Sequence, residues 1–218
     1  MTDAGIAVAA LEIEDVVPRP LQLSERLFFS VHGYLHLDGL WTERFSQALH
    51  DEALARYTFA EVPQAGPRTP VPEDRLARRP TPAATGELLT RLHVTLLGMV
   101  RALSGRLVVP TFSAYGYYEN DDEALLHLDS DQCDVTLLTT VLGEVGPLHL
   151  RPELRGVTMD KLGLLESDSA WDHAGGVPVV YPKLGVTALA GNVLPHNRPG
   201  RQCVGLSAVA ALCYRSLL

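Results

Sequence analysis

The residues best suited to chemistry are His127 and Asp129, in the run ALLHLDS, and His196, in NVLPHNRPG. Along an extended strand alternate side chains share a face, so His127 and Asp129 project together while Leu128 turns away. An imidazole and a carboxylate side by side supply two corners of a mononuclear metal site. His196, far downstream, is the natural third ligand. Pro195 and Pro199 bracket it, which predicts a stiff turn at that point. Two imidazoles and one carboxylate, with further coordination positions open, form a donor set suited to non-haem Fe(II).

Other residues compete for places around this set. A second His-x-Asp, His36-Leu37-Asp38, lies just before a predicted helix, where Asp38 has a ready role as a cap or turn residue. Arg201 opens the last predicted strand. A guanidinium is permanently charged and forks onto a carboxylate through two parallel bonds, so Arg201 would suit the far end of a dicarboxylate held at a metal. Arg198 competes for that role. Ser207 shares the face of Arg201 by even spacing and could add a hydroxyl contact. Tyr117 or Tyr118 could reach the same carboxylate, and only one of two adjacent strand residues points inward. His149, between Leu148 and Leu150, is read as a substrate contact, together with Arg151. His173, in WDHAGG, reads as a turn residue; His32, His50 and His93 read as structural or surface residues.

The elements that must position these groups follow from the patterning. Residues 1–25 are weakly patterned and predict a poorly ordered segment or an edge strand. Leu27 to Val31 reads as a β segment. Trp41, Phe45, Leu49 and Ala53 then fall at helical spacing. Six of the fifteen prolines lie between Pro63 and Pro82, which predicts a loop over 60–84, with Arg68, Arg75, Arg78 and Arg79 in it. That loop suits either a solvated insert or a cover over a site. GELLTRLHVTLLGMVRALSG predicts a helix capped by Thr85 and stopped by Gly105, with Leu88, Leu92, Leu96 and Leu103 buried. Beyond it come short β-like runs separated by Gly, Pro, Asn and Asp turns. Helices followed by an all-β half predict an α+β protein, mainly β, with a jelly-roll or cupin-like core backed by N-terminal helices.

The bulk numbers set bounds. A length of 218 residues suits one domain, taken as 26–218, and 46% hydrophobic residues argue against wholesale disorder. A net charge of -8 gives no reason to expect nucleic-acid binding, and no apolar run reaches membrane-spanning length. The N-terminus lacks a basic region before its apolar residues, so no signal peptide is expected. Cys133, Cys203 and Cys213 are odd in number and widely spaced, which predicts neither a disulfide framework nor a zinc motif and fits a reducing cytoplasm.

Over roughly residues 26–216 the chain resembles the Fe(II)/2-oxoglutarate-dependent dioxygenase superfamily, in particular its small prolyl-4-hydroxylase-like members. The resemblance is carried by FFSVHGYLHLDGLW before a helix, the tyrosine-bearing strand, His127-x-Asp129, the GPLHLRPE strand, and PKLGVTALAGNVLPH ending at His196 with Arg201 beyond. It implies a double-stranded β-helix, Fe(II) held by His127, Asp129 and His196, and 2-oxoglutarate chelated to the iron with its far carboxylate on a basic residue near Arg201. It also implies O2 as oxidant, succinate and CO2 as by-products, and hydroxylation or desaturation of an unactivated C–H bond. Asp129 argues against halogenation, since halogenating relatives lack that carboxylate. A small-molecule substrate is expected, an amino acid or a natural-product intermediate. Two other classes fit the same residues: a cupin-like metal enzyme that does not use 2-oxoglutarate, and a non-catalytic β-barrel binding module.

Overall fold

The computed structural model describes residues 15–61, 79–80, 85–120, 122–168, 170–182, 184–200 and 205–217. Arg201, Cys203 and nearly all of the proline-rich stretch lie outside these residues, as does most of the weakly patterned N-terminal segment.

The first element corrects the sequence reading. Leu27 to Val31 lie in a helix, α1 (Leu23–His32), and not in a strand. Local capping outweighs the β-propensity of the run. Glu25 reaches back to accept the Gln22 N–H at 2.7 Å, and Gly33, at φ 78°, closes the far end with its N–H on the Phe29 carbonyl. Arg155 also donates to the carbonyls of Val31 and His32. Strand β1 (Tyr34–Leu37) follows, then α2 (Glu43–Arg56). Thr42 caps α2 by accepting the Phe45 N–H, and Trp41, Phe45, Leu49 and Ala53 are all buried, as their spacing predicts.

A two-residue ladder pairs β2 (Ala60–Glu61) with β3 (Arg79–Pro80). The next predicted helix is two, α3 (Glu87–Thr95) and α4 (Leu97–Ser104), with Gly105 at φ 65° as the stop. Its cap is not Thr85, whose hydroxyl donates to the Ser113 carbonyl. Glu52, reaching over from α2, accepts the N–H groups of Leu88 and Leu89 at 2.8 and 3.0 Å and the Tyr115 hydroxyl at 2.6 Å. One carboxylate thus ties two helices to the sheet beneath them, using donors that a helix start leaves open.

The strands that follow are β4 (Val108–Tyr118), β5 (Ala124–His127), β6 (Val135–Leu142), β7 (Leu148–Leu150), β8 (Val177–Val179), β9 (Val186–Leu189), β10 (His196–Arg198) and β11 (Ser207–Ser216). A helix the sequence reading missed, α5 (Met159–Glu166), packs against β5. Two antiparallel sheets result, a larger one ordered β1-β9-β6-β11-β4 and a smaller one ordered β5-β10-β7-β8. Period-two alternation divides the larger sheet. Tyr115, Tyr117, Leu137, Ala210, Leu212 and Tyr214 face the helices in one core. Tyr118, Leu138, Leu189 and Val209 face Leu148, Leu150, Val179 and Leu194 of the smaller sheet and its flanks in a second.

Cys133 and Cys213 form a disulfide with their Cα atoms 4.7 Å apart, across a sequence separation of 80. This corrects the expectation of unpaired thiols, and it removes the thiol-based argument for a reducing compartment. The pairing is created by tertiary structure: the turn after Asp129 folds Cys133 back over β11, where Cys213 lies opposite Phe112 and Thr136. Among the described residues no helix is long and apolar enough to cross a membrane.

Candidate metal centre

His127 is the last residue of β5 and His196 the first of β10, and the two are direct antiparallel partners. β10 also pairs with β7, His196 opposite Leu150, so this histidine is fixed from both sides. It stands on a strand between two neighbours, not on the turn that its flanking prolines predict. Each imidazole is oriented the same way. His127 Nδ1 lies 2.6 Å from the Leu125 carbonyl and His196 Nδ1 2.9 Å from that of Leu194. A carbonyl only accepts, so each Nδ1 carries the proton and each Nε2 keeps a lone pair for a metal.

Asp129 lies beyond the end of β5, held by its own N–H on the Gly191 carbonyl at 2.9 Å. Its Oδ1 is 3.8 Å from His127 Nε2 and 3.7 Å from His196 Nε2. Two atoms bound to one ion at about 2.1 Å each can stand no more than about 4.2 Å apart, and both separations from Asp129 fall inside that limit; the three donor atoms all lie within 4.8 Å of one another. Among the described residues this is the sole cluster of three such groups close enough to share one. His196 is buried, whereas His127 and Asp129 are partly open to solvent.

The three donors line a cavity of about 280 Å³ between the sheets. Its floor is built in cross-strand rows: Phe112, Cys213 and Thr136; Ala114, Ala211 and Leu138; Gly116 and Val209. The small residues of the second and third rows leave the space. At the other end lies Arg198, two residues after His196 and therefore on its face. Its side chain is fully buried; Nε donates to the Gly146 carbonyl at 3.0 Å and a terminal N–H to the Tyr181 hydroxyl. Burial pushes the Tyr181 phenol up to about 12, so it stays protonated as a neutral neighbour. The cavity thus offers a corner of three convergent donors and a buried cation joined by an uncharged floor.

No protein-family model and no curated protein sequence matches the chain. Solved structures do. HygX from Streptomyces hygroscopicus, with nickel and 2-oxoglutarate bound, superposes with a TM-score of 0.64 at 16% identity, over 91% of this chain and 89% of that one. The non-haem α-ketoglutarate-dependent carbocyclase SnoK of nogalamycin biosynthesis gives 0.66 at 16%, over 92% and 86%. A prolyl hydroxylase from Trichoplax adhaerens, in complex with a hypoxia-inducible-factor peptide, gives 0.62 at 13%, over 88% and 87%. The chain has the fold of the 2-oxoglutarate-dependent oxygenases.

Within that oxygenase fold the residues singled out in the sequence separate cleanly. His127, Asp129, His196, Arg198 and Tyr118 line one cavity. Tyr117 does not: it faces the helices and donates to the Ala53 carbonyl at 2.7 Å. Ser207 is buried, with its hydroxyl on the Glu144 carbonyl. His149 and Arg151 are not among the lining residues. His149 pairs across the ladder with Asn197, which alternates with His196 and so faces away from it, and Arg151 stacks on Trp171. His36 is bonded to Thr187 on β9 and is not among the lining residues, and His93 lies in the helix-side core. Sequence reasoning missed Tyr181, Thr136 and Gly191. Tyr181, in VVYP, gives no local sign of its role, since a guanidinium on another strand makes it part of the site.

Proposed function

We propose that this protein is an Fe(II)- and 2-oxoglutarate-dependent oxygenase that hydroxylates or desaturates a C–H bond of a small molecule. In this reading its two facing sheets form a double-stranded β-helix. One observation carries the reading: Nε2 of His127, Nε2 of His196 and Oδ1 of Asp129 converge in a cavity whose other end holds the buried Arg198. The donor set fits Fe(II), because the two Nδ1 anchors leave a lone pair on each histidine aimed at the carboxylate.

His127, Asp129 and His196 would hold the iron and leave three positions open. Bound there, iron with 2-oxoglutarate would supply the oxidising chemistry from O2, the co-substrate leaving as succinate and CO2. The chain's own part is positioning. Arg198 takes the distal carboxylate of 2-oxoglutarate, and the ring of Tyr118 and the hydroxyl of Tyr181 keep the guanidinium in place. Ala114, Gly116 and Ala211 leave room for the co-substrate's carbon chain. Leu138, Leu148 and Val209 keep water from that stretch, which strengthens the charge pairing at its end. An amino acid or a natural-product intermediate is the substrate class proposed.

Anaerobic addition of Fe(II) and 2-oxoglutarate to the folded protein tests the reading. The expected result is a weak visible charge-transfer band, lost in His127→Ala and Asp129→Ala, followed by succinate release on a panel of small molecules in air. Folded protein that takes up Fe(II) without the band, and forms no succinate, would instead support a metal enzyme that does not use 2-oxoglutarate.

A further inference from the structure

We propose that Thr136, with Gly191 behind it, selects Oδ1 of Asp129 as the single metal-facing oxygen. The inference rests on the metal site above and extends it to two residues outside the ligand set. A carboxylate can bind an ion through one oxygen or through both, and the choice fixes how many positions stay open for co-substrate and O2. Here Oδ1 faces the two histidines, while Oδ2 turns away and accepts the Thr136 hydroxyl at 2.5 Å. A hydroxyl bond to an ionised acceptor is of the stronger kind, and it makes Oδ2 a poorer metal donor.

The surroundings of Thr136 leave that bond little freedom. The residue is buried on the cavity face of β6, and a β-branched side chain is stiff about χ1. A hydroxyl has one proton to give. The other group near its oxygen is the Cys213 sulfur at 3.8 Å, which in the disulfide has no hydrogen to donate and is a weak acceptor. The proton therefore goes to Oδ2. Gly191 acts on the same oxygen. A Cβ at that position would stand 1.8 Å from Oδ2 and 2.8 Å from the Thr136 oxygen, so a side chain there displaces the pair. The Gly191 carbonyl meanwhile holds the Asp129 N–H at 2.9 Å. Thr136 and Gly191 touch no reacting atom; they are positioning residues.

Co(II) titration of the full chain reads this out, because its visible bands report ligand number and geometry without turnover. Thr136→Val, which keeps the shape and removes the hydroxyl, should lower Co(II) affinity about 10–100-fold and alter the band pattern as Oδ2 is released. Thr136→Ser should restore both to near the wild-type values, and Gly191→Ala should reproduce the loss. Wild-type affinity and spectrum in Thr136→Val overturn the proposal, as does a Ser variant no better than Val. Should Thr136→Val not fold, unchanged Co(II) binding by Gly191→Ala overturns it alone. Wild-type protein that binds Co(II) no better than Asp129→Ala is a different failure: it removes the metal site itself, and this inference with it.

Discussion

The guanidinium carbon of Arg198 lies 4.5 Å from the centroid of the Tyr118 ring and 5.4 Å from that of Tyr181. Two aromatic faces set the plane of the cation, and its bonds to Gly146 and Tyr181 set its rotation. A carboxylate arriving along the cavity meets an oriented fork. Loss of a charged hydrogen bond costs about 1.5–3 kcal/mol, so Arg198→Gln should raise KM for 2-oxoglutarate about 10–100-fold. Arg198→Lys keeps the charge and loses both fork and stacking, and should fall between. Initial rates of succinate formation against 2-oxoglutarate concentration check this. An unchanged KM in Arg198→Gln would move the anchor elsewhere, with Arg201 next in line.

The two adjacent tyrosines should respond in opposite ways. Tyr117 donates to the Ala53 carbonyl inside the helix-side core, so Tyr117→Phe should cost about 1 kcal/mol of stability, seen as a lower Tm, with KM for 2-oxoglutarate unchanged. Tyr118 faces the cavity beneath Arg198, so Tyr118→Leu should raise that KM several-fold through loss of the ring. Equal effects on KM from both substitutions would contradict the alternation of β4 on which the cavity floor depends.

How far the site was legible turns on strand period. His127 and Asp129 could be paired from spacing alone, and the structure brings them together: β5 ends at His127, whose Nε2 lies 3.8 Å from Asp129 Oδ1. Arg198 was equally accessible by the same rule, since it stands two residues after His196 on β10. Pro195 and Pro199 obscured this: they suggested a turn, whereas they flank a three-residue strand held between two others. The helix at Leu23–His32 was marked by the Gln22–Glu25 box and by Gly33, signals that outweighed an apolar run resembling a strand. The α2 face was legible, because Phe45, Leu49 and Ala53 repeat every four residues, with Trp41 buried one period earlier, just ahead of the cap. Tyr181, Thr136 and the Cys133–Cys213 bond were not. Each depends on which strands lie side by side, and local patterning carries no such information.

The disulfide sets a third expectation. It closes a long loop between the turn after Asp129 and β11, and such bonds typically contribute about 2–4 kcal/mol. A phosphine reductant should therefore lower Tm, and Cys133→Ala should lower it to a similar extent and be insensitive to reductant. Thiol titration of unfolded protein should give one thiol before reduction and three after, since the bond takes up two of the three cysteines in the sequence. Three thiols without reductant would show that the pair is not closed in solution.

His93 provides a pH test of the helix-side core. Its imidazole is buried against the Tyr214 ring with centroids 4.6 Å apart, and its Nε2 donates to the Cys213 carbonyl at 2.7 Å. Burial holds its pKa below the usual histidine value, a shift that the carbonyl bond only partly offsets. A depressed value means that the unfolded chain takes up the proton first as pH falls. The neutral ring's contribution is therefore complete above about pH 6.5, the unfolded value, and is lost progressively below it. Burial shifts His36 in the same direction, so part of any acid slope belongs to it. Tm should fall as the pH drops below about 6.5, and His93→Gln should fall less steeply over the same range. Parallel Tm curves for the two proteins would show that His93 takes up its proton equally well in the folded core.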